Sequence, residues 1–230
     1  AKTYILPSLT GDSPMNLSVQ KQLMERVHQG ARLYMSLDGA LLSPFASFSG
    51  LRVLTRAHAP QETQVLLGDA SIRLRRAYPL RCACTGAEAL AYTAGGDIAF
   101  ARNRFGQGDV YTLLFPLEIQ MATQPGIVDS DQAQSAYLFY NAMNMRSAQK
   151  VVSTDRPTIG LTEHILSETE RAVIAINYEP FEDEVDLQLA GGWTCSDCLS
   201  IDQDAKLSGN RLRLPHNSGA VLMLKANPRK

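Results

Sequence analysis

The sequence GGDIAFARNRFGQGDVYTLLFPLE, residues 95–118, predicts a β-hairpin whose second strand is deeply buried. Ile98, Phe100 and Arg102 alternate with smaller or polar residues, which is the two-residue period of a strand. Gly106-Gln107-Gly108 supplies the positive φ angles that a tight reversal needs. Residues 110–115 form a nearly unbroken apolar run, which is typical of a strand covered on both faces.

Pro116 fixes where this second strand ends. Proline cannot donate to a strand ladder, so we expect the strand to stop near Phe115 and to leave Glu118 at its carboxyl end. Asp38 follows an earlier apolar run, residues 31–37, and has the corresponding position there. Because active sites of α/β sheets lie at the carboxyl ends of the strands, Asp38 and Glu118 are the candidate catalytic residues.

Composition excludes several classes of partner. The chain has 230 residues with 45% hydrophobic content, enough for one large core or two modest ones. A net charge of −1 and the absence of basic stripes argue against nucleic acid or an anionic membrane. No apolar run approaches the roughly 20 residues that span a bilayer. Because Ala1-Lys2-Thr3 leads directly into a predicted strand, we expect residue 1 to be a cut end of a longer protein.

Four cysteines raise the question of metal or redox chemistry. Cys195 and Cys198 form a C-x-x-C motif, and Cys82 and Cys84 lie in an earlier predicted strand. The motif of a thiol oxidoreductase opens a helix, whereas residues 193–200 are predicted to form a strand. We therefore interpret the cysteines as structural thiols and predict neither a metal nor a cofactor. Reduced thiols favour a cytoplasmic protein.

The first part of the chain has the pattern of a parallel sheet. A strand at residues 4–7 is followed by a helix that Asn16 or Ser18 can cap and that Gly30 ends, and residues 31–37 form the next strand. This order is a βαβ unit. Residues 51–76 suit edge strands or an excursion from the sheet. A second helix is predicted over 132–145, with Asp129 and Asp131 complementing its dipole.

The period of the sequence changes after a polar segment at residues 150–157. Five or six short runs with a two-residue period follow, separated by glycine, proline and asparagine turns. Such runs predict a small antiparallel β-sandwich. We therefore divide the chain into an α/β domain at residues 1–153 and a β-sandwich domain at residues 154–230.

Five short motifs carry a resemblance to known proteins: residues 4–7, residues 28–30, the hairpin at 103–111, and residues 176–178 and 214–219 of the tail. Together they resemble the class I glutamine amidotransferase-like fold. The resemblance is closer to the version that follows the catalytic barrel of certain bacterial glycoside hydrolases, including β-galactosidases in which it mediates trimerisation. The tail resembles the small β-domain that closes many such enzymes.

The catalytic residues of working amidotransferases are not matched here. The resemblance implies a cysteine after the strand at 31–37 and a His-x-Glu pair after a later strand. Residues 36–40 read SLDGA and contain no cysteine, while Pro116 stands in the place of the histidine and Glu118 in that of the carboxylate. Since thiol attack requires both a thiolate and a base, acyl transfer by this route is excluded.

The resulting prediction is an α/β, flavodoxin/amidotransferase-like parallel sheet that lacks its first strands, followed by an antiparallel β-sandwich. We expect a non-catalytic accessory C-terminal region of a glycoside hydrolase that packs on the catalytic barrel and holds subunits together. Its partners are then the missing N-terminal barrel or further copies of the chain, and either would cover the open edge of the sheet.

Two alternatives stay open. An independent hydrolase would use Asp38 and Glu118, because a retaining glycosidase needs two carboxyls about 5 Å apart. The plainer interpretation is that Asp38 caps the next turn, while Glu118 caps its own helix or pairs with an arginine such as Arg104. A carbohydrate-binding module would instead stack sugars on Trp193, Tyr178 and Phe181. Exposed, coplanar rings favour binding, and buried rings favour a structural role.

Overall fold

The computed structural model describes residues 3–10, 15–42, 45–124, 136–143, 150–156, 158–200 and 204–226. These residues form two compact units. The first contains the described residues up to 124 together with 136–143, and the second contains those from 150 onward. The predicted helix at 132–145 is described only in its central part, and Asp129 and Asp131 lie outside the described residues. No helix in the described ranges has the length and apolarity that crossing a bilayer requires.

The described residues of the first unit form nine strands and four short helices. The strands are β1 (Thr3–Thr10), β2 (Arg32–Asp38), β3 (Leu51–Arg56), β4 (Gln61–Leu67), β5 (Ala70–Arg76), β6 (Leu80–Cys84), β7 (Glu88–Thr93), β8 (Ile98–Phe105) and β9 (Gly108–Leu113). The helices are α1 (Leu17–His28), α2 (Phe45–Ser49), α3 (Leu117–Thr123) and α4 (Tyr137–Ala142).

Seven of these strands form one mixed sheet in the order β1-β2-β9-β8-β7-β4-β5. Only the β1–β2 and β2–β9 pairs are parallel, and the remaining neighbours are antiparallel. The prediction of a parallel sheet therefore holds for three adjacent strands and not for the other four. Short turns join β8 to β9, β7 to β8 and β4 to β5, and such turns can connect only antiparallel neighbours. Strands β3 and β6 pair separately.

The βαβ unit at the start of the chain forms as predicted. The Asn16 side chain accepts a hydrogen bond from the Ser18 N–H, which caps α1, and Gly30 ends the helix at φ 111°. Strand β9 is buried along its whole length. The two hairpin glycines have different roles. Gly106 has the positive φ of the turn, whereas a Cβ at Gly108 would clash with the backbone oxygens of Val27 in α1 and of Ala31, which follows the helix.

One edge of the seven-stranded sheet is occupied by a side chain. The Gln120 amide in α3 accepts a hydrogen bond from the Arg75 N–H at 2.8 Å and donates to the Arg73 carbonyl at 2.9 Å. It therefore occupies the place where the backbone of another strand would bind to β5. The opposite edge is formed by β1, whose residues carry no charged side chain.

The described part of the second unit consists of short antiparallel strands. They are β10 (Val152–Ser153), β11 (Ile159–Ile165), β12 (Glu170–Asn177), β13 (Asp183–Asp186), β14 (Gln188–Leu189), β15 (Trp193–Ser200), β16 (Lys206–Ser208), β17 (Arg211–Leu214) and β18 (Gly219–Ala226). Their sheets have the orders β11-β12-β18-β15, β13-β17-β16 and β10-β14. The core between them includes Val173, Leu212, Leu214, Leu222 and Leu224. The predicted change to antiparallel strands is thus confirmed.

Candidate functional site

Glu118 lies in the first turn of α3, just beyond the carboxyl end of β9, where the apolar run and Pro116 place it. Three hydroxyl groups donate to its carboxylate. Ser8 reaches Oε2 at 2.9 Å, Ser36 also donates to Oε2, and Tyr140 reaches Oε1 at 2.7 Å. The carboxylate therefore connects β1, β2 and α4 at the carboxyl ends of the parallel strands.

Ser8 and Ser36 are themselves held in place. Ser8 has the unusual φ of 46° at an irregularity in the β1–β2 register, and its N–H donates to Ser36 Oγ at 2.5 Å. The Ile119 N–H donates to Ser8 Oγ at 3.0 Å. Ser36 is fully buried and Ser8 nearly so. Each serine oxygen thus accepts from a backbone N–H and donates its proton to Glu118, so neither hydroxyl has a free proton to donate to another group.

Two tyrosines complete the cluster. The rings of Tyr34 and Tyr140 are 5.4 Å apart. Burial, followed by the hydrogen bond to Glu118, raises the pKa of Tyr140. Burial and then the negative charge of Glu118 raise the pKa of Tyr34, which is completely buried. The Tyr34 hydroxyl lies near Glu118, Ser36 and Tyr140, and none of its contacts within the described residues has the geometry of a full hydrogen bond.

Asp38 and Glu118 are bound to different groups. Asp38 accepts a hydrogen bond from the Ala77 N–H at 3.1 Å, so it holds a distant turn and not the next one along the chain. Arg104, suggested as a partner of Glu118, lies 3.6 Å from Asp109 instead. The partners found for Glu118 are three hydroxyls, and none of them is a thiol or an imidazole. This arrangement suits a structural acceptor.

The three candidate sugar-binding aromatics have unlike surroundings. Trp193 is half-buried, and the Arg171 guanidinium lies 5.0 Å from its ring centre. Tyr178 and Phe181 are 51% and 53% exposed. The Tyr178 ring lies close to the backbone of Gly160, where an added Cβ would come within 2.8 Å. Only the pair at the end of β12 is therefore open to solvent.

Sequence reasoning missed Glu179, which lies between these two aromatics. It is 1% exposed, and neither carboxylate oxygen has a hydrogen-bond partner in the described part of the chain. Its backbone is fixed by the Asn177 side chain and by the Asn217 N–H. A single glutamate in a surface-like turn sequence gives no signal of burial.

The four cysteines are free thiols. Cys82 packs against the first core, and burial raises its pKa to about 11. Burial also raises the pKa of Cys195 and of Cys198. Within the described ranges, no group of three or more His, Cys, Asp or Glu side chains is placed to hold a metal ion.

Comparison with known proteins gives likeness in fold without likeness in sequence. No protein-family profile matches this chain, and none of the curated proteins matches it. Gan42B, a GH42 beta-galactosidase from G. stearothermophilus, has a TM-score of 0.62 and 14% identity. The match covers 96% of this chain and 31% of that one.

Two further solved structures show the same relation. The cold-adapted beta-galactosidase from Rahnella sp. R3 has a TM-score of 0.60 and 17% identity, over 96% of this chain and 32% of that one. The exo-beta-1,4-mannosidase Op5Man5 from an Opitutaceae bacterium has a TM-score of 0.52 and 20% identity, over 62% of this chain and 25% of that one. This chain therefore shares the fold of a portion of glycoside hydrolases and spans about a third of the length of the beta-galactosidases.

Proposed function

We propose that this chain is the accessory C-terminal region of a glycoside hydrolase and is not catalytic by itself. The observation that carries the proposal is the extent of the fold likeness, which takes in 96% of this chain but 31% of a beta-galactosidase. The three parallel strands with α1 would be the amidotransferase-like part of this region, with Glu118 in the position of the amidotransferase carboxylate.

The surroundings of Glu118 support the non-catalytic role. A general acid or nucleophile must reach the reacting atoms, and both oxygens of this carboxylate already accept hydrogen bonds from Ser8, Ser36 or Tyr140. The purified chain should therefore not hydrolyse a panel of aryl β-glycosides. Turnover that disappears in both the Glu118→Gln and Asp38→Asn variants would contradict the proposal and establish the independent hydrolase.

The parent enzyme is tested by the reading frame that contains residue 1. We expect an upstream (β/α)₈ barrel with two carboxylates at strand ends. The barrel, or a further copy of the chain, would cover the uncharged edge of β1. A start codon immediately before Lys2 would overturn this assignment.

The exposure of Tyr178 and Phe181 favours one second candidate, carbohydrate binding. Aromatic rings open to solvent can stack on sugar rings, and each ring would lose affinity on truncation. Calorimetry with β-galactan and β-mannan oligosaccharides should then show binding that Tyr178→Ala and Phe181→Ala remove. Tyr137→Ala, at a 46% exposed tyrosine of the first unit, is the matched control. Equal heats for all variants would reject this candidate.

A further inference from the structure

The spacing of Cys195 and Cys198 should separate their side chains. Residues three apart in a regular strand point to opposite faces, because side chains alternate with a period of two. Strand β15 is not regular. Cys195 pairs with Leu224 and Cys198 with Leu222, while Asp197 pairs with Met223, so one extra residue is accommodated between the cysteines.

This bulge brings both thiols to one face. Leu222 and Leu224 are two residues apart on β18 and are both fully buried, so they share the face that points to the second core. Cys195 and Cys198 lie opposite them and pack against the same core. Ser196 is the extra residue, and its hydroxyl donates a hydrogen bond to the Met223 carbonyl of the neighbouring strand at 3.1 Å.

The sulfur of Cys195 leans along the strand toward Cys198. Its Sγ lies 3.3 Å from the carbonyl oxygen of Asp197, which belongs to the peptide unit immediately before Cys198. Two strand positions separate the cysteine Cα atoms by about 6.7 Å. This spacing lies at the upper end of the roughly 4.4–6.8 Å found for disulfides, whose Cα atoms are most often about 5.5–6 Å apart, so a direct S–S bond is not the arrangement that the spacing favours. A bridging atom bound by both sulfurs fits the longer spacing.

The geometry points to a two-sulfur site for a soft monovalent cation, Cu(I), formed by Cys195 and Cys198 on the bulge of β15. Thiolate ligands select soft ions of this kind. Binding replaces the two S–H bonds with two Cu–S bonds and releases two protons to solvent, with no change in oxidation state. Both thiols are half-buried, so the ion can reach them while the adjacent core limits competition from water.

Cys82 and Cys84 provide the internal comparison. They are two residues apart in β6 and also share a face, in register with Val53 and Leu51. However, Cys82 packs into the first core whereas Cys84 is exposed, so their sulfurs lie at different depths. We therefore assign the Cu(I) site to Cys195 and Cys198 and not to Cys82 and Cys84.

The test is anaerobic titration of the full chain with Cu(I) in competition with bicinchoninate, alongside circular dichroism to verify folding. Cys82→Ser/Cys84→Ser should bind one Cu(I) with the affinity of the unmodified chain. Cys195→Ser and Cys198→Ser should each weaken binding by about 10²-fold or more, because one sulfur loses the advantage of two linked ligands. Retained affinity in Cys195→Ser/Cys198→Ser, or its loss in Cys82→Ser/Cys84→Ser, would overturn the assignment.

The pH dependence gives a second readout that a structural role would not produce. Both thiols must lose a proton, so the affinity should rise about 100-fold per pH unit near neutrality with both cysteines present. In either single variant the rise should fall to about tenfold per unit. A one-proton dependence in the unmodified chain would also reject the site.

Discussion

Glu118 in the first unit and Glu179 in the second are both shielded from solvent, but they differ in the hydrogen-bond donors that surround them. Glu118 is half-buried and accepts from three hydroxyls, which lie 110, 82 and 22 positions away in the chain. Glu179 is almost completely buried, and the described residues offer its oxygens no donor. The difference teaches that burial alone does not identify a functional acid. A carboxylate with a full set of donors stabilises its surroundings, whereas one without donors opposes folding.

Removing the Glu118 carboxylate, which accepts three hydrogen bonds, should have the largest effect on stability. Glu118→Ala leaves the buried hydroxyls of Ser8 and Ser36 without their acceptor, and we expect the free energy of unfolding to fall by about 3–5 kcal/mol. Urea unfolding followed by circular dichroism measures the loss, and hydrogen exchange of β2 and β9 locates it. Glu25→Ala, on the exposed side of α1, should change stability by less than about 0.5 kcal/mol. A similarly small change in the free energy of unfolding of Glu118→Ala would show that the hydrogen bonds to this carboxylate do not stabilise the fold.

Alkaline pH should weaken the first unit through the tyrosines beside Glu118. The pKa values of Tyr34 and Tyr140 are raised in the folded chain, so above about pH 10 the unfolded chain loses these protons first. The stability that these two tyrosines contribute is therefore intact below that pH and falls as pH rises, by about 1.4 kcal/mol per pH unit for each tyrosine. Urea unfolding between pH 9 and 11 measures the slope. An unchanged slope in Tyr34→Phe/Tyr140→Phe would show that other groups cause it.

The two tyrosines themselves form a matched pair. Tyr140→Phe removes a hydrogen bond to a charged acceptor and should cost about 2 kcal/mol. Tyr34→Phe removes a buried hydroxyl that lies near Glu118 without a well-formed hydrogen bond, so it should cost less than about 1 kcal/mol. Equal losses in the two variants would mean that Tyr34 also supports the Glu118 carboxylate. Thermal unfolding of the two proteins side by side makes the comparison.

Replacing Glu179 should have a small effect on stability and should stabilise the chain instead of destabilising it. Glu179→Met exchanges a buried carboxylate without donors for an apolar side chain of similar length, so we expect a gain of about 1–2 kcal/mol. The chain's single tryptophan, Trp193, lies in the second unit and reports its unfolding by fluorescence. Glu168→Met, at an exposed position, is the control. Destabilisation by Glu179→Met would show that this carboxylate does accept hydrogen bonds in the folded chain, and Glu179 would then not differ from Glu118.

Local signals in the sequence predicted much of the fold. The alternation at Ile98–Phe105, the turn glycine and Pro116 fixed the hairpin and placed Glu118 beyond the end of β9. Asn16 and Gly30 marked the ends of α1. Residues 51–76 were predicted to form edge strands or an excursion from the sheet, and both occur, since β4 and β5 end the main sheet while β3 pairs with β6 outside it. The pairing of β4 with β7 was not predicted, because strand periodicity does not say which strands pair.

The candidate site was predicted only in part for the same reason. Glu118 was identified from its position after a strand, but its donors Ser8, Ser36 and Tyr140 come from three distant elements. Serine in a strand gives no signal that it will meet a carboxylate. The C-x-x-C motif gives a second example of what the sequence does not reveal. An inserted residue in β15 changes which face of the strand a cysteine occupies, and the sequence alone does not show that insertion.

Gln120 has a consequence for how this protein can associate with others. Its amide uses the N–H of Arg75 and the carbonyl of Arg73, which are the groups that an incoming β-strand would need at that margin. A strand that adds at β5 would have to displace this amide first. A neighbouring polypeptide that continues the sheet is therefore expected to add more readily beside Thr3–Thr10, which disfavours the head-to-tail stacking of sheets that builds fibres.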